Sequence, residues 1–80
     1  MKLPVVSKLA SSNSLELLLL AEQALYNGEP LPIEVDGADE GEQLTHLIAA
    51  IWILNDMEMN GNDLKTSLRL YTKLVRDSIV

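Results

Sequence analysis

Residues 44–54 read LTHLIAAIWIL, and from Leu47 to Leu54 eight apolar residues follow one another. At about 100° per residue, Leu44, Leu47, Ile48, Ile51 and Leu54 form one apolar arc. Trp52 stands at its edge, and Ala49, Ala50, Ile53 and Met57 cover much of the remainder. A helix that is apolar nearly all round is buried nearly all round, so this stretch predicts the central helix of the fold. Two neighbouring helices from one chain cover roughly half to two-thirds of such a circumference, which leaves apolar surface for a second copy or another partner.

The elements on either side follow from their punctuation. Asn13 and Glu16 have the spacing of a capping box, predicting a helix from about Ser14 to Asn27 that Gly28 ends in the left-handed conformation. In EPLPIEV, residues 29–35, two prolines exclude a helix. Leu31, Ile33 and Val35 alternate there with Pro32 and Glu34, the period of a short strand with one buried face. Such a segment pairs with the N-terminal residues, pairs with another chain, or packs as extended coil. Residues 3–10, LPVVSKLA, stay open between a short helix begun at Pro4 and an edge strand over Leu3 to Val6. Asp39 and Glu42 repeat the cap spacing before the central helix, which is expected to reach Met59 or Asn60 and stop at Gly61. Asn62 or Asp63 then caps a last helix running almost to Val80. The expected architecture is a single, mainly α domain over residues 1–80: a three-helix bundle with an extended acidic insertion and, at most, a minor two-stranded element.

Eighty residues give a small core, about 60 to 65% of the unfolded surface buried. With no cysteine there is neither a disulfide nor a thiolate metal site to supplement it, and self-association is the remaining device. The predicted first helix carries the same apolar excess as the central one. Leu17, Leu18, Leu20, Ala21, Ala24 and Leu25 make a broad face, and Leu15, Leu19 and Tyr26 a second stripe at spacings of four and seven. Leu15, Leu19, Tyr26, Trp52 and Ile53 are therefore the candidate interface residues of a two-fold homodimer, the commonest closed symmetry, with intrachain packing as their plainer role.

Charge is strongly segregated. Between Lys8 and Lys65 there is no Lys or Arg, while that stretch holds 11 of the 12 acids; the formal net charge is −6. Lys65, Arg69, Lys73 and Arg76 fall within about 80° of one another on the last helix, opposite a seam of Leu64, Leu68, Tyr71, Val75 and Ile79 that Leu70 and Leu74 widen. An acidic body disfavours binding to phosphate backbones, so no nucleic-acid partner is expected. The apolar run is too short to span a membrane, and MKLPVVSKLASSNS lacks the apolar core of a secretory signal. The expectation is a soluble, cytoplasmic protein.

Residues with chemical capacity are few. Glu42 and His46 are four apart on one helical face with Asp39 beside them, a candidate set for a divalent metal or small ligand. The same acids serve equally as a helix cap. Asp56, Glu58, Asn60 and Gly61 fall near the early positions of a calcium loop, but its closing position holds Ser67 where a bidentate Glu is required. There is no Cys, no G-x-S-x-G and no glycine-rich phosphate loop, so no catalytic residue, enzymatic activity or cofactor is assigned. A pairing of His46 with Ser7 or Ser67 would depend on the fold. At DEGEQLTHLIAAIWIL and YTKLVRDSIV the chain resembles a family of short bacterial proteins carried as a domain of unknown function, and the similarity runs almost end to end. The resemblance implies no activity, cofactor or substrate.

Overall fold

The computed structural model describes residues 1–78 and contains four α-helices: α1, Leu3–Ser12; α2, Leu15–Asn27; α3, Glu40–Asn60; and α4, Leu64–Ser78. Helix α3 is the central element, packed against each of the other three. No strand occurs among the described residues. The expected bundle of three helices with a minor two-stranded element is thus corrected to four helices joined by an extended connector.

The additional helix is the N-terminal segment. Pro4 lies in the first turn of α1, where its missing N–H costs no hydrogen bond. Val6, Leu9 and Ala10 follow at helical spacing, and all three are buried. Ten residues are too few to hold a helix by propensity alone, so α1 exists because it docks on α3.

The junction between α1 and α2 shifts the expected cap by one residue. Asn13 is extended and donates its Nδ2 to the Leu9 carbonyl at 3.1 Å, closing the end of α1. The N-cap of α2 is Ser14, whose Oγ accepts the Leu17 N–H at 3.2 Å. At the far end Gly28 has φ of 67°, its N–H donating to Leu25 O while Glu29 N–H donates to Ala24 O, the paired bonds of a Schellman ending. Asp39 caps α3 as its spacing predicts, its Oδ1 accepting Glu42 N–H at 2.8 Å. Gly61, φ 68°, ends α3, and Asp63 Oδ1 accepts Thr66 N–H at 2.8 Å to begin α4. The last-helix residue Ile79 lies outside the described residues.

The connector of residues 28–39 keeps the alternation of a strand without forming one. Val35 is buried, Leu31 and Ile33 are half-buried, and Pro32 and Glu34 face outward. Side chains of α3 replace a ladder partner: Gln43 Nε2 donates to Val35 O at 2.9 Å, and the His46 ring bonds Asp36 O at 2.8 Å. The chain lies so close to α3 here that a Cβ on Gly37 would stand 2.8 Å from both Cγ and the backbone N of Gln43.

Burial around α3 is one-sided. Leu47, Ala49, Ala50 and Ile53 are fully enclosed, while Ile48 is exposed and Leu44 and Ile51 are only half-covered. The least extent of the Cα positions is 18 Å, the thickness of two helical layers. Three neighbours in two layers leave one flank of α3 uncovered, and the apolar arc Leu44, Ile48 and Ile51 occupies it.

The contact at Gly37 yields a first prediction. Gly37→Ala forces the connector away from a backbone atom rather than a movable side-chain tip, and should destabilise the fold by about 1–3 kcal/mol. Thermal unfolding followed by circular dichroism should show Tm lowered by roughly 5–15 °C; an unchanged Tm would mean that the connector does not lie where described.

Candidate functional site

Three places in the fold gather polar or apolar groups that could act: the His46 junction, the Asp56 cluster, and the exposed helical faces. At the first, His46 is fully enclosed. Its Nε2 accepts the Lys2 backbone N–H at 2.9 Å, and its Nδ1 lies 2.8 Å from the Asp36 carbonyl oxygen. A ring nitrogen that accepts from an amide must offer a lone pair, so the proton of the neutral ring belongs on Nδ1, donated to Asp36. Both nitrogens are committed and neither is left for a ligand.

The candidate partners of His46 are committed as well. Asp39 caps α3, and Glu42 Oε1 accepts Ala38 N–H at 2.8 Å, completing a capping arrangement one residue earlier than the usual reciprocal bond. Among the described residues no group of three or more His, Asp or Glu side chains is placed to hold a metal ion. Asp39, Glu42 and His46 do lie together at the start of α3, as their spacing requires, but their polar atoms meet backbone groups: Asp39 that of Glu42 in α3 itself, Glu42 that of Ala38, and His46 those of Lys2 and Asp36. His46 meets neither Ser7 nor Ser67.

The second place is the segment that in sequence resembles only the early positions of a calcium loop. Asp56, 9% exposed, accepts from three donors: Asn60 Nδ2 at 2.7 Å and Ser67 Oγ at 2.7 Å, one on each carboxylate oxygen, with Asn62 Nδ2 at 2.9 Å on the second. The amide groups donate to the carboxylate rather than converging with it on a cation. The cluster joins the end of α3, the loop and the first turns of α4, with Ser67 fully buried beneath it. These bonds, that from Asn62 first, then Ser67 and Asn60, hold the Asp56 carboxyl below its ordinary value of 3.8 against the opposing effect of burial. Its sequence signal is a carboxylate eleven positions before a small hydroxyl across a helix-helix turn, which spacing alone does not reveal.

The third place is the outer surface. Leu19, Leu20 and Tyr26 on α2 are 45%, 53% and 63% exposed, and Leu15 is half-buried. Leu15, Glu16, Leu19, Leu20 and Gln23 line a shallow groove of about 560 Å³. Two candidate interface residues lie elsewhere. Ile53 is fully enclosed in the core, so its assignment to an interface is corrected: α3 turns that side toward the other helices. Trp52 is half-buried against Tyr71, ring centroids 5.4 Å apart at 51°, an intrachain pair of α3 and α4. The stripe Lys65, Arg69, Lys73 and Arg76 is exposed along α4. Among the described residues its one ion pair is Arg76 with Asp77, 4.0 Å apart and open to solvent.

His46 and Asp56 each give a prediction. His46→Leu removes both ring hydrogen bonds and leaves the Lys2 N–H and Asp36 carbonyl without partners, so urea unfolding should show a loss of about 2–3 kcal/mol; a loss below about 0.5 kcal/mol would show that the two bonds contribute nothing net. For Asp56 the folded-state pKa is below the unfolded one. Its stabilisation is then complete above about pH 4 and is lost as pH falls through the depressed folded value. Asp56→Asn should lower Tm by roughly 5–10 °C at pH 7, and the gap from wild type should narrow steadily below pH 4. A gap independent of pH would assign the effect to packing instead of charge.

Among the described residues, the large exposed apolar side chains and the basic stripe lie on outer helical faces, while the polar atoms of His46 and Asp56 are engaged in hydrogen bonds within the fold. No helix of the described residues is long and apolar enough to cross a membrane. No curated protein and no solved structure matches the chain. The model of a family of unknown function, DUF6952, matches residues 1–80, and the chain belongs to that family.

Proposed function

We propose that this is a small cytoplasmic interaction module whose chains self-associate as a two-fold dimer through the outward face of α2. The observation that supports it is the set of large apolar side chains left in solvent on that helix, Leu19, Leu20 and Tyr26 beside the half-buried Leu15. Single exposed leucines are ordinary on a monomer, but Leu19 and Tyr26 in line with Leu15, with Leu20 exposed about 100° round the helix from Leu19, give the outer side of α2 the pattern of an association surface.

Size points the same way. A stable interface removes about 800 Å² from each partner, and this chain has 5128 Å² of accessible surface in all. Helix α2, with 13 residues, is about 20 Å long. Its face alone falls short of that area, so the proposed interface extends to the uncovered flank of α3, where Ile48 is exposed and Leu44 and Ile51 are half-exposed. Covering these groups would add the apolar burial that an 80-residue core lacks.

Light scattering on the eluting protein tests the reading. Wild type should have a mass near twice the 8.8 kDa of one chain, and the double variant Leu19→Asp/Leu20→Asp, changed at exposed positions, should have the mass of one chain with its helical circular dichroism intact. A wild-type mass of 8.8 kDa across a wide concentration range, or a variant that keeps the doubled mass, would discard this interface.

A further inference from the structure

Of the cations of α4, only Arg76 has an ion pair among the described residues, the solvent-open one with Asp77 at 4.0 Å. Eleven acids lie between Lys8 and Lys65, and several have intrachain partners: Asp39 and Asp63 cap helices, Glu42 closes the α3 cap, and Asp56 binds Asn60, Asn62 and Ser67. Asp63, at the start of α4, feels the charge of Lys65 and Arg69 but forms no ion pair within 4.0 Å with either. Arg69 and Lys73, one turn apart in mid-helix, have no carboxylate within ion-pairing distance among the described residues.

These cations edge a built depression. Leu3 of α1 and Leu68, Arg69, Thr72, Lys73 and Arg76 of α4 line a groove of about 440 Å³. Its floor is apolar, Leu68 half-buried and Leu3 partly exposed, its rim carries three positive charges, and no acid lines it. Guanidinium groups bind carboxylates bidentately, and two of the three rim cations are arginines. A groove of this kind is complementary to a segment that combines carboxylates with an apolar side chain.

We propose that the α1–α4 groove docks an acidic segment of a partner protein, its apolar side chain on Leu3 and Leu68 and its carboxylates on Arg69, Lys73 and Arg76. A membrane surface fits less well. The exposed leucines of α4, Leu70 and Leu74, project about 100° or more from the middle of the basic stripe, so they and the cations do not present one amphipathic face to a bilayer. Nucleic acid fits less well again, because no aromatic side chain lines the groove and the net charge is −6. The site is separate from the proposed dimer face on α2.

The test uses the full chain and a fluorescently labelled synthetic peptide of alternating glutamate and leucine, with a lysine–leucine peptide of equal length as control, read by anisotropy at low and moderate salt. The glutamate peptide should bind, the lysine peptide should not, and raising the salt should weaken binding several-fold. Arg69→Glu/Lys73→Glu alters only exposed side chains and should weaken binding at least about tenfold with helicity unchanged, whereas Leu19→Asp should leave it unaltered. No binding of the glutamate peptide, or equal binding by the charge-reversed variant, overturns the proposal. Sedimentation of the protein with phosphatidylserine vesicles in the absence of peptide binding would overturn it in favour of a lipid surface.

Discussion

A neutral imidazole has one donor and one acceptor, and in this protein they meet one backbone carbonyl and one backbone amide in a fully enclosed place. His46 thereby joins α3 to Lys2, the N-cap of α1, and to Asp36, near the end of the connector. Neither of those pieces has a ladder or a long helix of its own to stabilise it. The Lys2 carbonyl in turn accepts from Val5 and Val6 at 3.1 and 3.2 Å, so the residue bound by the histidine is also the one that starts α1. With Gln43 on Val35 and Gly37 pressed against Gln43, the first two turns of α3 act as a clamp for the acidic connector. The interior beyond the clamp is conventional: apolar side chains from all four helices and the connector close around Leu47, Ala50 and Ile53.

The opposite end of α3 solves a similar problem with a charge. Asp56 receives three hydrogen bonds from Asn60, Asn62 and Ser67, so the turn into α4 is fixed by one carboxylate with three of its roughly four acceptor positions taken by neutral donors. Between the two polar junctions the Trp52–Tyr71 pair and the alanines at 49 and 50 set the distance of approach of the neighbouring helices. The uncovered flank of α3 and the outer face of α2 are what four helices in two layers leave over. Apolar surface and segregated charge are consequently the features through which such a chain can meet other molecules, and both proposals rest on them.

Much of this was legible beforehand. The central position of α3 followed from its apolar circumference, and Asp39, Gly28 and Gly61 marked helix ends correctly because caps and left-handed turns depend on local chemistry. The alternation of Leu31, Ile33 and Val35 predicted which residues turn inward, yet not that α3 side chains would take the place of a second strand. Helix α1 is not decided by its sequence, because ten residues with a proline carry little local signal; its formation is a consequence of tertiary docking. Placing Ile53 at an interface failed because a helix apolar on every side gives no indication of which arc its own chain covers. His46 and Asp56 could be recognised as residues of interest but not as structural junctions, since their partners lie as far as 44 positions away.

The tautomer of His46 is the most direct measure of whether its ring holds α1 and the connector on α3. Long-range proton–nitrogen correlation spectra of the labelled protein distinguish a protonated ring nitrogen from one with a free lone pair. The account predicts a neutral ring with a slowly exchanging proton on Nδ1 and an unprotonated Nε2. A proton on Nε2, or a ring averaging rapidly between tautomers, would contradict the junction on which this fold is said to depend.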